Sequence, residues 1–110
     1  MLEIGIDIED VSRFRETPYE QNKIFYTKIF SKNEIKYCLN KSDPYPHFTA
    51  RYCVKEAVIK ASKQKKLKLI EIETIKINKK PILSLPFAVQ ARISISHTKH
   101  YATAFVIIFD

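Results

Sequence analysis

Glycine is nearly missing from this chain: one residue in 110, where average usage of roughly 7% would supply about eight. Backbone turns that need positive φ must therefore be few, or be made by Asn, Asp or strained residues. A Walker A loop and a dinucleotide-binding glycine fingerprint are both excluded, because each needs several glycines close together. Any phosphate bound here has to be met by cations, hydroxyls or a metal. Long apolar runs are lacking too, which excludes a membrane-spanning helix. Glu3, Asp7, Glu9 and Asp10 stand where a signal peptide would be apolar, so a soluble, cytoplasmic protein is expected. Cysteine is scarce. Cys38 and Cys53 have no CxxC or HxxxH beside them to complete a tetrahedral zinc site, and they read as reduced, buried thiols.

What is present is ordinary for a globular protein. Hydrophobic residues make up 45% and charged residues 28%, a balance that argues against disorder and for a single domain over residues 1–110. Nineteen Lys plus Arg against twelve Asp plus Glu give a net charge of +7. A basic domain of this size expects an anionic partner, although the same excess also serves solubility.

In residues 1–8, Leu2, Ile4, Ile6 and Ile8 alternate with Glu3, Gly5 and Asp7, which predicts a half-buried strand with Asp7 on its polar face. Residues 9–16 read as a short helix ended by Pro18, and residues 20–30 carry apolar side chains at helical spacing. Ser31 and Glu34 form a capping-box pattern ahead of Ile35, Cys38 and Leu39. Residues 40–46 are loop by composition. From His47 to about Lys66 nothing breaks a helix. Ala50, Val54, Ala57, Val58 and Ala61 form its apolar face, with Arg51, Tyr52, Lys55, Glu56, Ile59 and Lys60 on the remaining circumference. Residues 67–78 alternate as a strand with a slip near Thr74, Lys79-Lys80-Pro81 turns the chain, and a short strand runs to Pro86. Residues 93–97 and 101–109 suggest a closing hairpin. The fold class expected is α+β, with helices packed on an antiparallel sheet.

Three clusters could carry chemistry. Asp7 interrupts an apolar alternation, and Glu9 and Asp10 follow it; acids at such a junction also favour a helix N-terminus. Glu56 and Lys60 are four apart on one helix, with Lys55 and Arg51 nearby. Such a pair can equally be a surface contact worth roughly 0.2–0.5 kcal/mol. Ser96-His97-Thr98 sits at a hairpin tip, where a histidine can be a base, a phosphate donor or a turn residue. Taken together they suggest a carboxylate pair, Asp7 and Glu56, surrounded by Arg51, Lys55, Lys60 and His97. Two carboxylates and a phosphate can hold Mg²⁺ with waters filling the octahedron, and cations then neutralise the remaining charge.

Three motif regions join these clusters: Gly5-Ile6-Asp7-Ile8 with Arg13 six residues on, Arg51-Tyr52-Cys53-Val54-Lys55-Glu56-Ala57 running to Lys60-Ala61, and Ser94-Ile95-Ser96-His97-Thr98 before Tyr101-Ala102. Their order and spacing, with Phe30-Ser31 and Glu34 ahead of the central motif, resemble the small holo-acyl-carrier-protein synthases, which are 4′-phosphopantetheinyl transferases. The resemblance implies that family's fold and a homotrimer with active sites between subunits. It implies Mg²⁺ on Asp7 and Glu56, and coenzyme A as donor, its phosphates met by Arg51, Lys55, Lys60, His97 and Thr98. It further implies Glu56 and Lys60 as catalytic groups, and Arg13 docking an acidic helix of an acyl carrier protein. Where the family has a glycine-containing loop after the central helix, this chain has Ser62-Lys63-Gln64-Lys65-Lys66, whose lysines are expected to take the phosphate role. Two other readings compete with transfer: a relative that binds coenzyme A or a nucleotide without transferring anything, and a basic nucleic-acid-binding domain. The aromatics sit at core spacing and no RNP-type motif is visible, so neither nucleic acid nor membrane is expected as a partner.

Overall fold

A computed structural model describes residues 2–62 and 66–109. The chain runs β1 (Leu2–Asp10), α1 (Ser12–Arg15), α2 (Lys23–Ile29), α3 (Lys32–Leu39), α4 (Pro44–Ala61), β2 (Glu73–Ile77), β3 (Lys80–Ser84), β4 (Gln90–His97) and β5 (Tyr101–Phe109). This is the α+β class expected. β5 lies between β1 and β4 in an antiparallel three-stranded sheet, and β2 and β3 form a separate antiparallel hairpin.

α4 packs across one face of the larger sheet. Its Ala50, Val54, Ala57, Val58 and Ala61 are buried against Ala102, Ala104, Val106 and Ile108 of β5. Burying a valine side chain contributes roughly 1.5–3 kcal/mol, so Val54 and Val58 anchor the contact while the alanines set how close the layers come. Gly5 completes that approach: a Cβ there would stand 1.9 Å from the Ala57 carbonyl oxygen. A second cluster, with Phe14, Tyr26, Phe30 and Phe48 at its centre, ties α1, α2 and α3 to the start of α4.

The expected facing of β1 is reversed. Gly5, not the isoleucines, meets α4, and by strand alternation Glu3, Asp7 and Glu9 share that side. Leu2, Ile4, Ile6 and Ile8 lie on the open face, 59–68% exposed. Register places them beside Phe109, Ile107, Phe105 and Thr103 of β5. Alternation gives two candidate faces, and only Gly5 admits a helix this close; nothing in hydrophobicity alone reports that.

Three boundaries also move. α4 begins at Pro44 rather than His47, since Asp43 caps it and proline suits the first helical position; it ends at Ala61. The stretch before Glu73 is a tight turn over Leu69–Glu71 instead of strand. Its carbonyls at Leu69 and Ile72 accept from the buried Lys55 ammonium rather than from a neighbouring strand. The β2–β3 turn uses Asn78 and Lys79, both at positive φ (51° and 67°), so the left-handed turn that glycine commonly makes falls to Asn and its neighbour. Lys80 and Pro81 then lie within β3. The capping box at Ser31 and Glu34 is present in both directions. Both cysteines are free and buried. No helix among the described residues is long and apolar enough to cross a membrane. The expected phosphate role of Lys63 and Lys65 lies outside the described residues.

Candidate active site

Helical geometry sorts the candidate residues of α4 onto two sides. Side chains four apart sit one above the other, whereas a five-residue step turns about 140° around the axis. Tyr52, Glu56 and Lys60 therefore form one row, and Arg51 and Lys55 another. The single ring of cations drawn from the sequence around Asp7 and Glu56 is divided accordingly.

On the first side, Lys60 reaches β1. Its ammonium donates to Asp7 Oδ1 at 3.1 Å and to the Ile6 carbonyl at 2.9 Å. The Asp7 side chain is mostly covered while that of Lys60 is half exposed, so the pair stands at the protein surface with the carboxylate beneath. The Cys53 thiol, one residue beyond Tyr52 on α4, feels the Asp7 and Glu56 carboxylates. Burial first, then Asp7, Glu9 and Glu56, push that thiol up to about 12. Protonated at neutral pH, it donates to the Ala102 carbonyl at 3.4 Å and offers no soft ligand. Next in the row, Tyr52 carries the Arg13 guanidinium over its ring at 4.7 Å. Burial raises the Tyr52 phenol, and the neighbouring Glu56 carboxylate raises it further. Arg13 also bonds Glu9 at 3.0 Å with half its side chain in solvent. Tyr52 is thus the link between Arg13 and Glu56 that the sequence did not single out.

No group of three His, Cys, Asp or Glu side chains gathers as a metal site among the described residues. A cation here would have two protein carboxylates and take the rest of its shell from ligand and water. Hard oxygen donors in that number suit Mg²⁺, which keeps several waters and usually shares phosphate oxygens.

The second side is different in kind. Lys55 is fully buried, with its ammonium 2.9 Å from Glu34 Oε1 and donating also to the Leu69 and Ile72 carbonyls. All three donors are used. Glu34 in turn accepts from Ser31 N and Thr74 N, so the pair fastens α3, α4 and the chain entering β2. Burial lowers the Lys55 ammonium, with Glu34 acting against that shift. This corrects the expectation that Lys55 meets a coenzyme phosphate: its charge is enclosed and satisfied within the core.

Arg51 is 3% exposed and lies 4.0 Å over the Tyr37 ring. Its Nε and Nη2 find no acceptor among the described residues, an unusual state for a buried guanidinium. His97 ends β4 and packs edge to face on His47, the ring centroids 4.8 Å apart. Thr98 shapes the hairpin: its hydroxyl oxygen accepts from the backbone of His100 and Tyr101. Lys41, His47, His97, Thr98 and Lys99 line an open cleft. Asp7, Glu56 and Lys60 therefore meet on one side of α4, while Arg51, His97 and Thr98 belong to another. Tyr37 and His47 join the latter and had no sequence signal beyond helical position.

Residues 3–106 match the 4′-phosphopantetheinyl transferase superfamily. A holo-[acyl-carrier-protein] synthase of Thermodesulfovibrio yellowstonii is 41% identical over 109 residues, covering 96% of each chain. One of Chlamydia caviae is 40% identical over 111 residues, covering 92% of this chain and 91% of the relative. Among solved structures, a holo-(acyl-carrier-protein) synthase of Bacillus anthracis in complex with CoA (3′,5′-ADP) superposes with a TM-score of 0.84 at 27% identity, covering 98% of this chain and 96% of its own. A Helicobacter pylori holo-[acyl-carrier-protein] synthase in complex with coenzyme A gives 0.81 at 28%, covering 96% and 98%.

Proposed function

The chain belongs to the 4′-phosphopantetheinyl transferase superfamily, and from that premise we propose that it moves 4′-phosphopantetheine from coenzyme A to a serine of an acyl carrier protein. It is a phosphopantetheinyl transferase of the holo-acyl-carrier-protein synthase type. The observation that carries the reading is the contact of Lys60 with Asp7 in the second half of β1, at the protein surface, with Glu56 one turn before Lys60 on the same helix row.

In the proposed reaction the carrier serine hydroxyl attacks the β-phosphorus of the coenzyme A pyrophosphate. The new serine O–P bond forms as the bond to the bridging oxygen breaks, and 3′,5′-ADP leaves. Glu56 takes the serine proton. Lys60, already donating to Asp7, neutralises the charge that grows on the departing phosphate. Asp7 and Glu56 would hold Mg²⁺, which when bound supplies charge neutralisation at the pyrophosphate. Phosphoryl-type transfer depends mainly on such positioning and neutralisation. Arg13, which lies over Tyr52 and bonds Glu9 with half its side chain in solvent, would meet an acidic helix of the carrier, a role that the net charge of +7 supports. Arg51, His97 and Thr98 are assigned to the donor's remaining phosphate.

The open sheet face supports a homotrimer with active sites between subunits. Four aliphatic residues of β1, more than half exposed, stand beside Phe109, Ile107, Phe105 and Thr103 of β5, a patch of the kind a subunit interface covers. The whole of residues 1–110 then acts as one domain, and the two free cysteines accord with a cytoplasmic location. Incubating the chain with coenzyme A, Mg²⁺ and an apo-carrier tests the reaction. The carrier gains the mass of phosphopantetheine, and Asp7→Ala or Glu56→Ala abolishes the gain. Transfer at the wild-type rate by the double variant would overturn the site.

A further inference from the structure

Arg51 and His97 sit on different elements, yet two rings connect them. The Arg51 guanidinium lies 4.0 Å over Tyr37. Tyr37 stands 6.1 Å from His47 at 70°, and His47 stands 4.8 Å from His97 at 68°. The run passes from α4 to α3, back to α4, and on to the end of β4. Lys41 and Lys76 also lie over the Tyr37 ring, at 4.6 and 5.9 Å. The one carboxylate bordering the adjoining cleft, Asp43, is held by both terminal nitrogens of Arg15. Cations thus gather on one side of the molecule, Lys41 and Lys99 on the cleft itself and Arg51 buried against Tyr37, an arrangement that suits an anion.

We infer that His47 is the positioning residue of a phosphomonoester subsite: backed by Tyr37, it fixes the His97 imidazole in the cleft bordered by Lys41 and Lys99. Among the described residues His97 makes ring contact with His47 alone. An edge-to-face contact restricts the imidazole's rotation, so the free protein already holds the ring in one direction. His47 stays uncharged beside it. Burial, then His97, Arg51 and Lys41, push its imidazole down to about 4 against the pull of Asp43, with the Tyr37 ring facing it from α3. For the identity of the ligand the inference rests on the transferase reading. Coenzyme A carries a pyrophosphate and one phosphomonoester. His47 precedes Glu56 by nine residues in α4, about 13 Å along the axis, so the cleft does not hold the phosphorus under attack.

Calorimetric titration of the full chain with adenosine 3′,5′-bisphosphate and with adenosine 5′-monophosphate tests this. The wild type binds the bisphosphate more tightly. His47→Ala weakens the bisphosphate roughly threefold to tenfold and leaves the monophosphate unchanged. His47→Phe, which keeps the ring contact, restores most of the loss. In a His97→Ala background, His47→Ala has no further effect. Equal losses on both nucleotides, no preference in the wild type, failure of the phenylalanine to restore, or additive losses in the double variant would each overturn the inference. Absence of transfer to any carrier would overturn the transferase reading and leave these titrations intact.

Discussion

Gly5 on β1 and Ala57 on α4 are in backbone contact: a methyl group added at Gly5 would stand 1.9 Å from the Ala57 carbonyl oxygen and 3.2 Å from Ala61 Cβ. The nearest atom is helical backbone, which cannot rotate away, so α4 itself would have to lift from the sheet. Gly5→Ala is expected to destabilise the fold by at least the roughly 1–3 kcal/mol typical of an overpacked core. Each kcal/mol lowers Tm by about 4–8 °C in a domain near this size. An unchanged Tm in a thermal melt would show that the layers are looser than this contact implies.

The same contact leaves the isoleucines of β1 facing outward. Ile6 is 60% exposed and registers with Phe105. If the proposed trimer forms through this face, a charge placed there with Ile6→Asp should reduce it to single chains in sedimentation analysis, and transfer activity should fall with it. A variant that keeps both the wild-type mass and the wild-type rate would remove the sheet face from the interface.

The buried Lys55–Glu34 pair should behave as structure rather than as a ligand site. Removing one partner of a buried ion pair leaves an uncompensated charge and costs about 3–5 kcal/mol. Lys55→Met is therefore expected to lose that much stability in denaturant titration. The double variant Glu34→Gln, Lys55→Met should recover part of it, because no bare charge remains. A stable Lys55→Met protein with a selectively raised KM for coenzyme A would return Lys55 to the donor site.

Much of this was legible in the sequence. Period-2 alternation located β1 and β4, aliphatic and aromatic enrichment located β5, the capping box at Ser31 and Glu34 located α3, and the uninterrupted run from His47 onward located most of α4. Motif spacing brought Asp7, Glu56 and Lys60 forward together, and the structure places Lys60 on Asp7. Facing was not legible, because alternation is symmetric between the two sides of a strand until a partner chooses one. Nor was the burial of Lys55, whose charged type argues for solvent; only the tertiary approach of Glu34 and two carbonyls makes the core habitable for it. His47 and Tyr37 escaped because a ring contact between separate elements leaves no trace in spacing.

His47 gives the fold a defined response to acid. Its folded-state imidazole is held down at about 4 from an ordinary 6.5, so between those values the unfolded chain binds a proton that the folded chain does not. Stability therefore rises with pH across this window and is lost as pH falls from about 6.5 toward 4. His47→Phe should flatten that part of the curve by close to one proton's dependence, leaving the more acidic limb set by carboxylates such as Asp43. Parallel curves for the two proteins in pH-dependent melts would mean that His47 is as accessible folded as unfolded.

Glu56 and Lys60 share one helix row but are expected to fail differently. Glu56→Gln keeps shape while removing the base and one anionic donor for the cation, so kcat should fall about 10²–10⁴-fold, the range for general acid–base catalysis, and more Mg²⁺ should be needed for half-maximal rate. Lys60→Ala removes a donor to Asp7 Oδ1 and to the Ile6 carbonyl as well as the charge opposite the leaving phosphate. It should lower kcat roughly 10²–10³-fold, as loss of one charge-stabilising donor does in other sites. Lys60→Arg, longer and unable to give up a proton, separates the two parts of that role. Recovery to near the wild-type rate would assign Lys60 to charge neutralisation alone, whereas a rate as low as that of the alanine variant would mean the ammonium must also donate its proton. Rates followed by the mass of the modified carrier across pH distinguish the outcomes directly.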